Sequence, residues 1–205
     1  SRDGGSRGCS VAIAPRDRLR RPPGAPLTTH SSQYARLMHV TVRNATHADI
    51  DALVDLYEAM EAEQIAQKPV WALTDGLDKP FNESLSQMID SDDIWLRIGQ
   101  IDGVPVGFIS ASIDGTLSRS DGLQIGTISL IYTHPDARGV GVGDQMLEGV
   151  LADLRDMGIT RFDAPVGPGQ RLTKNFFEGH QFAARSLIMH HADDPNTGRT
   201  DDESI

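Results

Sequence analysis

A chain of 205 residues, 39% of them hydrophobic, can bury one core of ordinary size, so one domain is the default. Charge is unevenly spread: seven arginines against two aspartates put +5 on residues 1–37, and the other 12 basic and 27 acidic residues leave −15 on the rest. That acidic body argues against a nucleic-acid partner or an anionic membrane surface, and suits either plain solubility or a cationic amine. Cys9 is the only cysteine, which excludes an intrachain disulfide, a zinc framework and a thiol nucleophile in the body, and fits a reducing cytoplasm.

Residues 1–37 are rich in Arg, Gly, Ser and Pro and too poor in apolar periodicity to offset the entropy of ordering, so a disordered N-terminal extension is expected there. An Arg-rich, acid-poor leader has the composition of an organelle-targeting segment, but its prolines interrupt any amphipathic helix. Met38 directly precedes the first strand and reads as the start of the domain, which is expected over 38–192, ahead of a mobile acidic tail over 193–205. No apolar run approaches the length of a membrane span.

Within the domain, HVTVR (39–43) alternates as a short strand. Thr46 with Asp49 forms a variant capping box that opens a helix whose apolar face is Ile50, Leu53, Val54, Tyr57 and Met60, with Pro69 beyond its end. After an irregular stretch over 68–80, in which Trp71 reads as core packing before pocket lining, Phe81, Leu85, Met88 and Ile89 mark a second helix near 81–90. IWLRIGQ (94–100) and VPVGFISASI (104–113) flank Asp102-Gly103, a strong type I′ hairpin signal. A polar loop over 114–122 leads to a strand at 124–133, and further strands are expected at 159–166 and 182–191, with a short helix near 170–179 between them.

The stretch that organises the chain is QIGTISLIYTHPDARGVGVG (124–143), followed by Met146, Leu147, Val150, Leu151, Leu154 and Met157 on one helical face and Gly158 as the stop. Strand, glycine loop, helix is the implied order. Residues 138–143 then lie at a helix N-terminus, where the first N–H groups lack partners within the helix and favour an anion. Gly139, Gly141 and Gly143 let the backbone approach a phosphate, and Arg138 adds a positive charge. A P-loop is excluded, because Gly143-Asp144-Gln145 stands where Gly-Lys-Ser/Thr is required, and GxGxxG fails at Asp144 and at Met146. A glycine-rich turn that binds nothing is the bland alternative.

The remaining pattern, R-x-x-G-x-G after a strand ending in proline (IYTHPDARGVGVG, 131–143), resembles the pyrophosphate loop of the GNAT superfamily of acyl-CoA N-acyltransferases. The order of elements is similar as well, over about residues 39–191. The resemblance implies an α/β acyl-CoA N-acyltransferase-like fold: a mixed, mostly antiparallel sheet with helices on both faces and splayed fourth and fifth strands. It implies acetyl-CoA as co-substrate, no metal, a small-molecule or peptide amine as acceptor, and a homodimer as one available assembly. Carried over, Ile131 and Thr133 offer main-chain groups to the pantetheine arm, with Tyr132 between them at the aromatic position of the strand motif. Arg138, Gly139, Val140, Gly141, Val142 and Gly143 hold the pyrophosphate, and Gln170 takes the place of an asparagine that bonds the pantetheine.

Two departures bear on catalysis. Ser129 stands near the position where the family frequently has a carboxylate, and Phe177 replaces a tyrosine that often serves as acid. The catalytic residues are therefore left unassigned, with Glu58, Glu61, Glu63 and His134 as candidate bases that also read as solvated surface groups. A non-catalytic acyl-CoA-binding or regulatory protein is the rival reading. His190 and His191, adjacent on an expected strand, would point to opposite faces and make poor joint metal ligands.

Overall fold

The computed structural model describes residues 38–67, 76–115, 122–167 and 169–189. Trp71, His190, His191, the N-terminal extension and the acidic tail lie outside the described residues. The described elements are β1 (Val40–Asn44), α1 (Ile50–Ala66), α2 (Phe81–Asp90), β2 (Ile94–Ile101), β3 (Val104–Asp114), β4 (Ile125–Thr133), α3 (Val142–Asp156), β5 (Phe162–Asp163) and α4 (Arg171–Gly179). The five strands form one sheet in the order β1-β2-β3-β4-β5, antiparallel throughout except for the parallel β4–β5 pair.

Strand alternation sorts the core into two layers. Phe108 and Ile109 are neighbours on β3 and therefore point to opposite faces. Phe108 joins Leu53, Tyr57, Leu85, Leu96, Ile98 and Tyr132 beneath α1 and α2. Ile109 joins Ile128, Met146, Leu147, Val150 and Leu154 beneath α3. The apolar spacing read in α3 matches the face that it buries from Met146 to Leu154, whereas Met157, expected on that face, lies just past the helix and is exposed.

Local signals set most of the connections. Asp102 and Gly103 adopt φ of +51° and +84°, the pair of positive values that a type I′ turn demands, and the β2–β3 hairpin closes around them. At the start of α1, the Thr46 N–H and hydroxyl each donate to the Asp49 carboxylate at 2.8 Å. The Arg43 guanidinium grips the same carboxylate with both forks, at 2.7 and 2.6 Å. This bonding, Arg43 foremost, holds the buried Asp49 far below the usual carboxylate range. A depressed folded pKa supplies stability above the unfolded value near 3.9, which is lost as pH falls below it. Asp49→Ala is therefore expected to cost about 2 kcal/mol at neutral pH. Urea titrations at pH 7 and pH 3 check this, the gap between wild type and variant narrowing at the lower pH.

Two strand irregularities shape the region around the glycine loop. Ser110 pairs with Leu130 and Ala111 with Ile128, so Ser129 is an extra residue, exposed in a β-bulge of β4. The bulge switches the face pattern: Ile128 and Ile131, three apart, both pack beneath α3, while Leu130 and Tyr132 pack beneath α1. On β2, Gly99 lies directly under α3, where an added Cβ would come within 2.6 Å of a Val142 methyl and 2.8 Å of the Met146 sulfur. The missing side chain lets the first turn of α3 settle against the sheet.

Beyond β4 the structure departs from expectation. The strand expected over 159–166 shortens to Phe162–Asp163, and its pairing is confined to Gly126↔Phe162 and Thr127↔Asp163. β4 and β5 therefore part company before the Ile131–Thr133 end of β4 is reached. The strand expected over 182–191 is not found among the described residues 182–189, which make no sheet pairing. Its alternating composition found no layer to cover, and Leu187, Ile188 and Met189 are 81%, 86% and 83% exposed. Arg185 in this segment is held by an ion pair with Asp163.

Candidate functional site

The site is built where β4 ends. Pro135–Ala137 forms a single 3-10 turn whose N-cap is His134, and the chain then passes through Arg138–Gly141 into α3. Gly139 and Gly141 adopt φ of +78° and +90°, values that strain any residue with a Cβ. The first helical bond runs from the Gln145 N–H to the Gly141 carbonyl at 3.0 Å, so the N–H groups of Val142, Gly143 and Asp144 have no acceptor within the helix.

A cleft of about 350 Å³ opens at this point. Its walls come from four directions: Ile131, Tyr132 and Thr133 of β4; the loop and first turn of α3; Gln170, Leu172, Thr173 and Phe176 around α4; and the last turns of α1. Of the residues expected at a coenzyme site, Ile131, Tyr132, Thr133, Arg138, Gly139, Gly141, Gly143 and Gln170 all line it. Val140 and Val142 do not. Val140 faces solvent, while the Val142 side chain is 1% exposed and anchors the loop in the core beneath α3.

Gly143 forms part of the cleft wall. A Cβ built on it would lie 3.2 Å from the Phe176 ring and 3.6 Å from the Thr133 hydroxyl, so glycine keeps open the space next to the helix amides. Asp144 follows in the same turn. Its carboxylate meets His180 Nε2 at 3.1 Å, and His180 Nδ1 lies 2.8 Å from the Phe176 carbonyl, linking α3 to the end of α4. Gln170 is the N-cap of α4, and its side-chain oxygen accepts the Gly167 N–H at 2.9 Å.

Arg138 is more constrained than its place in the sequence suggests. Its two terminal nitrogens donate to the two carboxylate oxygens of Glu63 on α1, at 3.0 and 2.6 Å, and its Nε donates to the Thr133 carbonyl at 2.9 Å. Its guanidinium also lies over the Tyr132 ring, 5.7 Å from the centroid. The bonds to Glu63 raise the Arg138 pKa further, and burial, followed by the nearby Glu63 charge, pushes the Tyr132 phenol up. The expected positive charge is thus compensated by Glu63 in this structure.

The remaining candidates separate by position. Ser129 is exposed in the bulge, and Phe177 is buried beneath α3, leaving its neighbour Phe176 to face the cleft. Glu58 is exposed, Glu61 lies beside the buried Tyr57 hydroxyl, and His134 caps the turn that begins at Pro135, with Nδ1 accepting the Asp136 N–H at 3.4 Å. Glu63 alone of the four candidate bases lines the cleft. It belongs to a stripe, Met60, Glu63, Gln64 and Gln67, that continues the buried face of α1 (Leu53, Leu56, Tyr57, Met60) with polar residues. That change from apolar to polar along one helical face is the sequence signal for these wall residues.

Gln181, just past α4, keeps a backbone conformation that glycine favours, with φ of +68°. Among the described residues no group of three or more His, Cys, Asp or Glu is placed to hold a metal, and no helix is long and apolar enough to cross a membrane.

Known proteins share the fold. The chain is similar to the crystal structure of a transcriptional regulator from Bacillus halodurans, at 21% identity and a TM-score of 0.61, covering 75% of this chain and 100% of that one. It is similar to the aminoglycoside N-acetyltransferase AAC(6')-Iy in complex with CoA, at 17% identity and a TM-score of 0.62, covering 78% and 99%. It is also similar to a predicted acetyltransferase with acetyl-CoA from Clostridium acetobutylicum, at 15% identity and a TM-score of 0.59, covering 75% and 96%. No curated protein matches the chain. At these identities the structural matches establish the fold, that of the acyl-CoA N-acyltransferases. The model of the acetyltransferase (GNAT) family matches residues 50–182, well over half of the chain, and the protein belongs to that family.

Proposed function

We propose that the protein transfers an acetyl group from acetyl-CoA to a primary amine by direct attack, without a covalent enzyme intermediate. One observation carries this reading: the N–H groups of residues 142–144, without helical acceptors, lie beside a cleft in which Gly143 leaves room for a ligand. Those donors suit the diphosphate of coenzyme A, and the helix dipole adds about 0.3–1 kcal/mol in favour of an anion. Ile131 and Thr133, on β4 beyond its last contact with β5, supply main-chain groups for the pantetheine arm. An N–H of this strand end also suits a thioester carbonyl, whose oxygen gains charge as the amine attacks. The acidic body favours a cationic acceptor.

A second reading, an acyl-CoA-binding protein without turnover, draws on Ser129 and Phe177, which place neither a carboxylate nor a phenol at those two positions. One experiment separates them. Acetyl-CoA at 100 times its dissociation constant should stabilise the wild type by about 2.7 kcal/mol in thermal unfolding. Thiol release should then rise above buffer with at least one member of a panel of primary amines that includes an aminoglycoside. Stabilisation with no release for any amine favours the binding protein; no stabilisation contradicts both readings.

A further inference from the structure

Building on the acyl-transfer reading, we propose that Glu63 is the general base of this site and that Arg138 withholds it until the coenzyme diphosphate draws the guanidinium away. Among the described residues two carboxylates line the cleft, Glu63 and Asp144. Asp144 sits in the first turn of α3, among the amides suited to the diphosphate, and is paired with His180. Glu63 stands on the wall formed by α1, beside Tyr132, and is the carboxylate left to serve the amine.

Arg138 occupies two positions that the coenzyme needs. Its Nε takes the Thr133 carbonyl, an acceptor suited to an amide N–H of the pantetheine arm. Its terminal nitrogens are spent on Glu63 rather than on phosphate. A diphosphate carries more negative charge than one carboxylate and lies against the same loop, so it competes directly for the guanidinium. Once Arg138 turns to it, Glu63 keeps no cationic partner among the described residues of the cleft: the other side chains of its stripe, Met60, Gln64 and Gln67, are neutral, and the other carboxylate, Asp144, is paired with His180. Both Glu63 oxygens, occupied by Arg138 in this structure, are then open to the amine.

In the reaction the amine nitrogen bonds to the thioester carbon and the carbon–sulfur bond breaks. The proton lost by the amine passes to a Glu63 oxygen, directly or through one water, and the coenzyme leaves as thiolate and takes a proton from solvent. The base is thus available only when the acetyl donor is in place. The carboxylate that β4 lacks at Ser129 is supplied from α1.

The test uses the full chain and its Glu63→Gln variant, with acetyl-CoA titrated by calorimetry and thiol release followed from pH 5.5 to 9 with spermidine, tyramine, L-lysine and benzylamine. Glu63→Gln should bind acetyl-CoA about three- to tenfold more tightly, because a neutral amide no longer competes for Arg138. Its kcat should fall by about 100-fold or more, with Glu63→Asp restoring turnover in part. Arg138→Gln should weaken acetyl-CoA binding about tenfold. An unchanged kcat in Glu63→Gln, or weaker coenzyme binding by that variant, overturns the proposal. Wild type that binds acetyl-CoA yet releases no thiol with any amine also overturns it but leaves the coenzyme site standing; wild type that binds no acetyl-CoA removes the acyl-transfer reading itself.

Discussion

Gly143→Leu is expected to weaken acetyl-CoA binding at least about 100-fold, equivalent to roughly 2.7 kcal/mol, while leaving the fold intact. The loss follows from where the new side chain must go. Even its Cβ would sit 3.2 Å from the Phe176 ring and 3.6 Å from the Thr133 hydroxyl, and the rest of a leucine would fill the space in front of the helix amides. The small effect on folding follows from backbone geometry. Gly143 lies inside α3, where glycine is about 0.8–1 kcal/mol worse than alanine, so better helix propensity offsets crowding against Phe176. Calorimetric titration and thermal unfolding of the same samples check both parts. Gly141, at φ of +90°, is a less discriminating position, because any side chain there strains the turn and blurs binding with stability.

Phe108→Ala is expected to cost about 3–5 kcal/mol, a large share of the 5–15 kcal/mol that stabilises an ordinary domain. Phe108 is fully buried in the central strand β3, with ring centroids 6.3 Å from both Tyr57 and Tyr132. Tyr57 in turn packs edge-on against Phe81, 4.7 Å away, and accepts the Leu77 N–H at 2.7 Å. Removing the ring at 108 therefore opens a cavity that α1, α2 and β4 would all have to collapse into, and three anchored elements collapse poorly. A fall in melting temperature of roughly 10–15 °C is expected for a body of this size. Met157→Ala, at an exposed position just past α3, should stay within about 0.5 kcal/mol of wild type.

What could be read from the sequence was what local chemistry decides. Asp102-Gly103 needed only its own φ preferences to become a hairpin, Thr46 and Asp49 only a three-residue reach to open α1, and Gly139, Gly141 and Gly143 only the absence of Cβ to shape the loop. Three features depended on groups far apart in the chain. The pair between Glu63 and Arg138 joins residues 75 positions apart, and neither residue's neighbours point to the other. Ser129 became a bulge because β3 and β4 slip by one residue between Ser110 and Ala111, a matter of register across the sheet. The stretch over 182–191 has strand composition, yet a strand also needs a partner edge and a layer to bury against; residues 182–189 make no sheet pairing, and past Phe182, which packs on Phe177, the described residues are exposed. Alternation reports what a segment would do if paired, not whether a partner is present.

The central claim is that the amide groups at the start of α3, which lack helical acceptors, hold a coenzyme diphosphate. A crystal structure of the chain with acetyl-CoA tests it most directly. The diphosphate oxygens should lie within hydrogen-bonding distance of the N–H groups of residues 142–144, with the Arg138 guanidinium turned from Glu63 toward them. Density for the coenzyme elsewhere, with this turn bare and its amides bonded to protein, would contradict the account.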